Sequence, residues 1–133
     1  MLPEVDSMNK VNLKVNLWGR DFDLNGVMQC YPGEEPTQTQ TEAWNKFISN
    51  ANLSEETKNP VEKYVLKHGL SDTGVSEVDN IFKYVIPKSI IIPRSKRLVV
   101  AIMCNFKFDP EQGIAILFEN GKFKEVGPQD IAL

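Results

Sequence analysis

Two carboxylates placed one residue apart are the pair whose spacing most suggests chemistry. Asp109 and Glu111 lie in the stretch DPEQG, just before a dense apolar run. Paired carboxylates can bind a divalent cation or serve as general acid and base. A hard cation takes about six oxygen ligands, however, and the next acidic residue is Glu119. Glycosidase carboxylates stand roughly 5 to 9.5 Å apart across a cleft, a geometry that one tight turn seldom provides.

A turn between two strands explains the same residues. Asp109 at its first position caps the backbone, Pro110 fixes φ at the second, and Gly113 permits a positive φ as the chain re-enters the sheet. We therefore interpret Asp109 and Glu111 as turn residues, and we assign no catalytic residue and no metal ligand. A small hydrolase or metal-dependent enzyme that uses these two acids is the alternative.

Each remaining candidate for chemistry has a structural explanation. His68 stands one residue before a glycine, where an imidazolium suits the C-terminal end of a helix. Trp18, at a strand end, is either a core residue or, if exposed, part of an interface. Cys104 lies in the most apolar stretch, where burial would make the thiol inert. Cys30 and Cys104 offer no metal spacing, so we expect no cofactor and a reduced, cytoplasmic setting, with a single disulfide as the alternative.

The elements that must position these residues begin with two predicted strands. Residues 11–18 (VNLKVNLW) alternate strictly between apolar and polar side chains, a pattern typical of a half-buried strand. We expect Gly19-Arg20 to turn the chain into a second strand over residues 21–31. Within that strand, Asn25-Gly26 marks either a bulge or a tighter turn.

The middle of the chain predicts two to three helices. Thr39 and Glu42 match a capping box at the start of the first. Behind them four apolar residues repeat at the spacing of one helix face: Trp44, Phe47, Ile48 and Ala51. Ser54 and two glutamates begin the second helix. Pro60 either kinks that helix or, with Asn59 as its N-cap, is its first residue.

Glycine and proline mark the end of this helical segment. We expect Gly69 to stop the second helix, and a short third helix to span residues 78–85 and end at Pro87. Beyond Pro87 the period of the apolar residues changes to that of strands. The stretch 98–104 is apolar on both faces, which indicates a central strand with something packed on each side.

Asn120-Gly121 stands between two apolar runs and predicts a two-residue hairpin. If the turn is of type I′, Phe118 lies opposite Phe123 and the aromatic pair helps to fix the register. The predicted fold class is α+β: an antiparallel sheet with a helical middle segment of two to three helices packed on it.

Size and charge limit the classes of function. The 133 residues fit one domain, with residues 1–9 as a loose arm. The net charge of -3 lacks the basic surface that phosphate backbones require, so we expect no nucleic acid as partner. The longest apolar runs fall far short of the roughly 20 residues that span a bilayer, so we expect no membrane association.

The stretch NFKFDPEQGIAILFENGKFKEVGPQDIAL (105–133) resembles the C-terminal signature of an uncharacterised bacterial domain family. That signature combines a D-x-E-H-G-like turn, a polar-Gly hairpin and a vG-x-x-D ending, and its matches here are Asp109, Glu111, Gly113, Asn120-Gly121, Gly127 and Asp130. The likeness extends to IPKSIIIP and TQTQTEAW and thus covers most of the chain. Gln112 stands where the family pattern has histidine, and Phe108 where it has tryptophan. The resemblance implies a small cytoplasmic protein, in some cases found near toxin–immunity systems, and carries over no catalytic residue.

The function that these observations favour is a non-enzymatic protein-binding module of unknown specificity, such as an immunity-type or accessory protein in a bacterium. An acidic chain would associate quickly with a basic protein partner. The candidate binding residues are Trp18, Asp109, Glu111 and Gln112. The protein is expected to be a monomer or a homodimer, the latter through an exposed strand edge such as residues 122–126.

Overall fold

The computed structural model describes residues 9–132, in which six strands form one open sheet ordered as in the chain. The strands are β1 (Lys10–Leu17), β2 (Arg20–Met28), β3 (Val85–Ile92), β4 (Val99–Phe106), β5 (Ile114–Glu119) and β6 (Lys122–Gly127). The helices are α1 (Gln38–Ile48) and α2 (Leu53–His68), and 3-10 turns span Ile81–Lys83 and Gln129–Ala132. The α+β class and the helical middle segment are confirmed.

Every neighbouring pair of strands is antiparallel except β2 and β3, which run parallel from Asn25 to Met28. A parallel pair needs a long crossover, and both helices lie within the one that joins β2 to β3. The sheet is therefore mostly antiparallel rather than wholly so. Within residues 9–132 no helix is long and apolar enough to cross a membrane.

The main core lies between the helices and one face of the sheet. Alternate side chains of all six strands point into it and meet the buried faces of α1 and α2. Phe47 of α1 packs edge-on against Phe118 of β5, with ring centroids 5.0 Å apart. A smaller cluster on the opposite face joins β3, β4 and β5 to the C-terminal 3-10 turn through Met103, Leu117 and Ala132. The prediction that the apolar β4 is central and covered on both sides is confirmed.

The first hairpin turns one residue earlier than predicted. Leu17 pairs with Arg20, so Trp18 and Gly19 form the turn, with φ of 57° and 91° as a type I′ turn requires. Neither the bulge nor the turn expected at Asn25-Gly26 is present, because β2 continues through both residues. Gly26 is needed there because a Cβ would lie 2.7 Å from the carbonyl oxygen of Ile90 on β3.

The capping box of α1 lies two residues before the predicted one. Thr37 is the N-cap: its hydroxyl accepts from the Gln40 N–H at 3.1 Å, and the Gln40 side-chain oxygen accepts from the Thr37 N–H at 2.9 Å. The Gln40 amide also donates to the carbonyls of Gln29 and Ile92, at the ends of the parallel pair. A glutamate could not make these two bonds, which is why this buried polar residue starts the helix.

The buried face of α1 consists of Gln40, Ala43 and Phe47, so the predicted apolar face was wrong in its phase. Trp44 is half-buried, and Ile48 is 45% exposed. Helix α2 is continuous through Pro60, so Asn59 is not an N-cap and the second helix does not start there. The third helix expected over residues 78–85 is shortened to a 3-10 turn at Ile81–Lys83, and the two longer helices match the expected count of two to three.

The C-terminal hairpin matches its prediction. Asn120 and Gly121 form the turn with φ of 56° and 79°, and Phe118 pairs with Phe123. The two rings are perpendicular, with centroids 6.4 Å apart. Strand β3 is longer than the short run expected and includes Pro87, which lies beside a shift in the register with β4. Proline is tolerated at such a bulge because no ladder hydrogen bond is lost there.

Candidate functional site

The DPEQG stretch is a turn that its own residues close. The Gly113 N–H donates to the Asp109 carbonyl at 2.8 Å, and the Gln112 N–H donates to the Asp109 carboxylate at 3.1 Å. Gly113 has a φ of +60°, and a Cβ there would lie 2.5 Å from the carbonyl oxygen of Cys104. The turn interpretation is confirmed, since the Asp109 carboxylate caps the backbone.

Glu111 and Gln112 are exposed on this turn, while Asp109 is half-buried and near enough to Tyr64 of α2 for its charge to act on the phenol. Burial, and then the charges of Asp109 and Asp130, raise the pKa of the Tyr64 phenol. A phenol in this environment stays protonated at neutral pH, so it can donate a hydrogen bond but is a poor general base. Among residues 9–132 no group of three or more His, Cys, Asp or Glu side chains could hold a metal ion.

His68 is exposed at the last turn of α2, with its ring centroid 4.2 Å from that of Tyr64. This is the helix-end position expected for it. Cys104 is buried, and burial raises the pKa of its thiol, as expected for an inert core residue. Cys30 is half-buried and also free, so the disulfide alternative is not present in this structure.

Trp18 holds the first hairpin against α2 rather than facing solvent. Its side chain is 8% exposed, its indole N–H donates to the Thr57 hydroxyl at 3.0 Å, and its backbone N–H donates to the Ser54 hydroxyl at 2.7 Å. The Phe82 ring packs on it, with centroids 5.8 Å apart. These contacts offset the unfavourable positive φ of a bulky residue. The indole has little surface left for a partner.

The candidate binding residues are not brought together in one site. Trp18 follows β1, and the turn with Asp109, Glu111 and Gln112 follows β4. The two strands run in the same direction, so both positions lie at the same end of the sheet, but they are three strands apart. Their part in binding stays a prediction.

A different feature, the outer edge of β1, has the geometry of a binding surface. The two-residue turn makes Leu17 and Arg20 a hydrogen-bonded pair, and the pattern alternates along the hairpin. The Met28 N–H donates to the Asn9 carbonyl at 2.8 Å, so the hydrogen bonds to β2 again involve an odd-numbered residue, here the one just before β1. The N–H and C=O groups of the even-numbered residues therefore point away from β2. Within the described part of the chain no hydrogen bond reaches these groups on Lys10, Asn12, Lys14 and Asn16.

Open apolar surface adjoins this edge on both faces of the sheet. On the helix side a groove of about 430 Å³ lies between β1 and the α1–α2 loop, lined in part by Leu13, Val15 and the exposed Ile48. On the other side a groove of about 730 Å³ runs over the first three strands and includes the exposed Val27 and the half-buried Ile91. A strand added along β1 would cover parts of both grooves.

The opposite edge of the sheet, β6, is protected. Phe118 and Phe123 pair directly, but Leu117 pairs with Glu125, so Lys124 is the extra residue of a bulge. The outward N–H of Phe123 donates to the Glu56 carboxylate of α2 at 3.0 Å. A bulge and an occupied N–H are recognised devices that prevent edge-to-edge pairing.

The edge that the sequence suggested for a homodimer, residues 122–126, is the one that Glu56 contacts, and no local pattern identifies Glu56 as its partner. Dimerisation through residues 122–126 stays a prediction. The strict alternation of β1 could have indicated an edge strand. The central strands β4 and β5 are apolar on both faces, whereas β1 is apolar on one face only.

No curated protein and no solved structure matches the chain. A family model described as a domain of unknown function (DUF6985) matches residues 3–133, and the chain therefore belongs to that family.

Proposed function

We propose that this protein is a non-enzymatic protein-binding module that accepts an extended segment of its partner along β1. The observation that carries the proposal is the free edge: an eight-residue strand in unbroken register with β2, whose outward backbone groups meet no acceptor or donor among residues 9–132. Strand addition uses such edges, since main-chain hydrogen bonds supply affinity and flanking side-chain pockets supply specificity.

The grooves beside β1 favour a partner strand with alternating side chains. On one face it would cover Leu13, Val15 and Ile48, and on the other it would meet Lys10 and Lys14. The net charge of -3 favours a basic protein, whose association would weaken with salt. The family resemblance and the two free cysteines support an immunity-type or accessory role in the bacterial cytoplasm as part of the same proposal.

The experiment is a capture from the native host with immobilised wild-type protein, Lys14→Pro and Lys14→Ala. Proline removes the outward N–H of residue 14, while the bonds that hold β1 to β2 belong to odd-numbered residues. Alanine removes the same charge but keeps the N–H. We expect a protein identified by mass spectrometry to be retained by wild type and Lys14→Ala and lost with Lys14→Pro.

Thermal unfolding of each variant checks that the fold is retained. If no protein is lost selectively with Lys14→Pro at either low or moderate salt, binding along β1 is refuted.

A further inference from the structure

We propose that the segment added along β1 is β1 of a second copy of this chain, so that two six-stranded sheets join into one across a two-fold axis at Leu13. The inference rests on the proposed function, since it names the partner of the same edge, and it replaces the basic protein expected from the net charge by a partner chosen from the charges of the β1–β2 hairpin itself. A strand pairs antiparallel with its own copy around a two-fold axis, which gives an isologous interface.

The position of the lysines selects the register. Residues directly opposite in an antiparallel pair share a face, so β1 can pair with its copy only in registers centred on a residue. Two registers pair seven residues of each strand: one centred on Leu13 and one centred on Lys14. The register centred on Lys14 places Lys14 opposite Lys14 of the other copy. A register centred on Asn12 places Lys10 opposite Lys14. Directly opposed like charges destabilise a strand pair.

In the register centred on Leu13, each lysine faces an asparagine instead. Lys14 faces Asn12 of the second copy, and Lys10 faces Asn16. All four residues are even-numbered, so their free N–H and C=O groups form the hydrogen-bonded pairs. Each such pair exchanges two bonds, which gives about eight across the interface.

Aspartates on β2 complement the incoming lysines. Asp21 pairs with Asn16 within the hairpin, and Asp23 lies beside Asn12, whose side-chain amide donates to it. Lys10 of the other copy, opposite Asn16, thus stands two strand spacings, about 10 Å between Cα atoms, from Asp21. Lys14 of the other copy, opposite Asn12, is diagonal to Asp23, at about 12 Å between Cα atoms, and both distances are within reach of the side chains. Among the described residues Lys10 and Lys14 form no ion pair within their own chain, so their charges are free to do this.

The helix-side face of the same interface is apolar. Leu13 meets Leu13 at the axis, and Val11 faces Val15 of the other copy. All three side chains are only partly buried against the core of their own chain, and Ile48 stands exposed beside them. Pairing would remove this surface from water, which favours association.

The test begins with the mass of the wild-type protein, measured by light scattering and sedimentation over a wide range of concentration. We expect a dimer that Lys14→Ala retains. Lys14→Pro should weaken association by about tenfold to a hundredfold, because the two-fold axis removes two hydrogen bonds at once. Amide hydrogen exchange of the wild type needs no variant: the amides of Lys10, Asn12, Lys14 and Asn16 should be protected at dimer concentrations and exchange faster on dilution.

The register is tested by oxidation in a Cys30→Ser background. Leu13→Cys should form a disulfide-linked dimer readily, because facing residues of a non-hydrogen-bonded pair stand about 4.5 Å apart at Cα. Val15→Cys, the matched control, should not, since residue 15 faces Val11 of the other copy and the two copies of residue 15 lie four positions apart along the strand pair. Crosslinking of Val15→Cys but not Leu13→Cys overturns the register.

A monomer at every concentration overturns the second-copy inference, and if those amides are nevertheless protected, another part of the chain occupies the edge. A dimer unaffected by Lys14→Pro overturns it too, because the interface then lies elsewhere. Neither result touches the proposed function if the host capture still yields another protein that is lost with Lys14→Pro. Failure of both experiments refutes both.

Discussion

Replacing Gly69 by alanine tests why a glycine ends α2. The chain does not adopt the left-handed conformation for which glycine is usually needed at a helix end, since φ is -137°. Instead the Phe108 ring occupies the space: a Cβ on Gly69 would lie 2.0 Å from its Cδ2 and 2.7 Å from its Cγ. Because Cγ is also too close, rotating the ring about its own axis cannot relieve the overlap, and Phe108 must move as a whole.

Two opposing effects determine how much Gly69→Ala changes the free energy of unfolding. Overpacking of this kind typically costs about 1 to 3 kcal/mol. Phe108 would leave contacts with Tyr84 and Phe106, whose ring centroids lie 5.6 and 5.7 Å away. Alanine at an allowed φ restricts the unfolded chain and returns about 0.4 to 1 kcal/mol. We therefore expect Gly69→Ala to lower the free energy of unfolding by about 1 to 2 kcal/mol.

Urea denaturation followed by tryptophan fluorescence measures the change, and an unaltered m-value shows that the two states are comparable. The control is the same substitution in a Phe108→Ala background, where the obstructing ring is gone. There Gly69→Ala should become stabilising by about 0.4 to 1 kcal/mol. A stabilising effect in the wild-type background, or an equal cost in both backgrounds, would show that Phe108 does not exclude a side chain at residue 69.

Three further substitutions follow from single contacts. Thr57→Val leaves the buried indole N–H of Trp18 without an acceptor and should cost about 1 to 3 kcal/mol in urea denaturation, whereas Thr57→Ser keeps the hydroxyl and should cost less. Gly113→Ala should lower the melting temperature more than Gly33→Ala. Both glycines have positive φ, but only at Gly113 would a Cβ meet backbone. Hydrogen bonds from Lys124 and then Arg97 lower the pKa of Glu119, so its stabilising effect is present above the unfolded pKa and is lost as pH falls through the folded one. Glu119→Gln should therefore show a smaller drop in melting temperature than wild type on acidification below about pH 4.5.

Local patterns with a stereochemical cause predicted the structure best. Asn120-Gly121 supplies two positive φ values, and the Asp-Pro turn closes through its own carboxylate, so neither depends on the rest of the fold. The doubly apolar β4 was recognised as central because only burial on both faces explains such a strand. These features are short-range or compositional, and a sequence displays them directly.

The errors arose where a distant element decides the role of a residue. Gln40 is buried because its amide satisfies carbonyls at the ends of two strands, one of them 52 residues away. An apolar periodicity cannot anticipate a buried polar side chain, so the face of α1 was predicted out of phase. Likewise Gly26 lies mid-strand because Ile90 approaches it closely, and the parallel pairing that brings them together follows from the crossover rather than from either strand.

The candidate site was missed for the same reason, since an edge is a property of the whole sheet. In the sequence, residues 11–17 of β1 and residues 122–124 of β6 both alternate between apolar and polar side chains, so either strand was eligible as the open edge. What separates them is Glu56, a residue of α2 that takes the outward N–H of Phe123. No pattern within residues 122–127 indicates this hydrogen bond.

The two edges of the sheet differ, since β1 is open and β6 is protected, and this difference limits how the protein can assemble. If both edges were open, β1 of one copy could pair with β6 of the next, and a head-to-tail contact of that kind extends without limit. Because β6 has a bulge and the outward N–H of Phe123 is occupied, residues 9–132 offer one free strand edge, that of β1. A single self-complementary edge closes after one pairing, because the two-fold axis consumes the free edge of both copies. The same asymmetry limits a different partner to one strand per chain, so a complex formed along β1 should have a fixed stoichiometry and should not grow into a fibre.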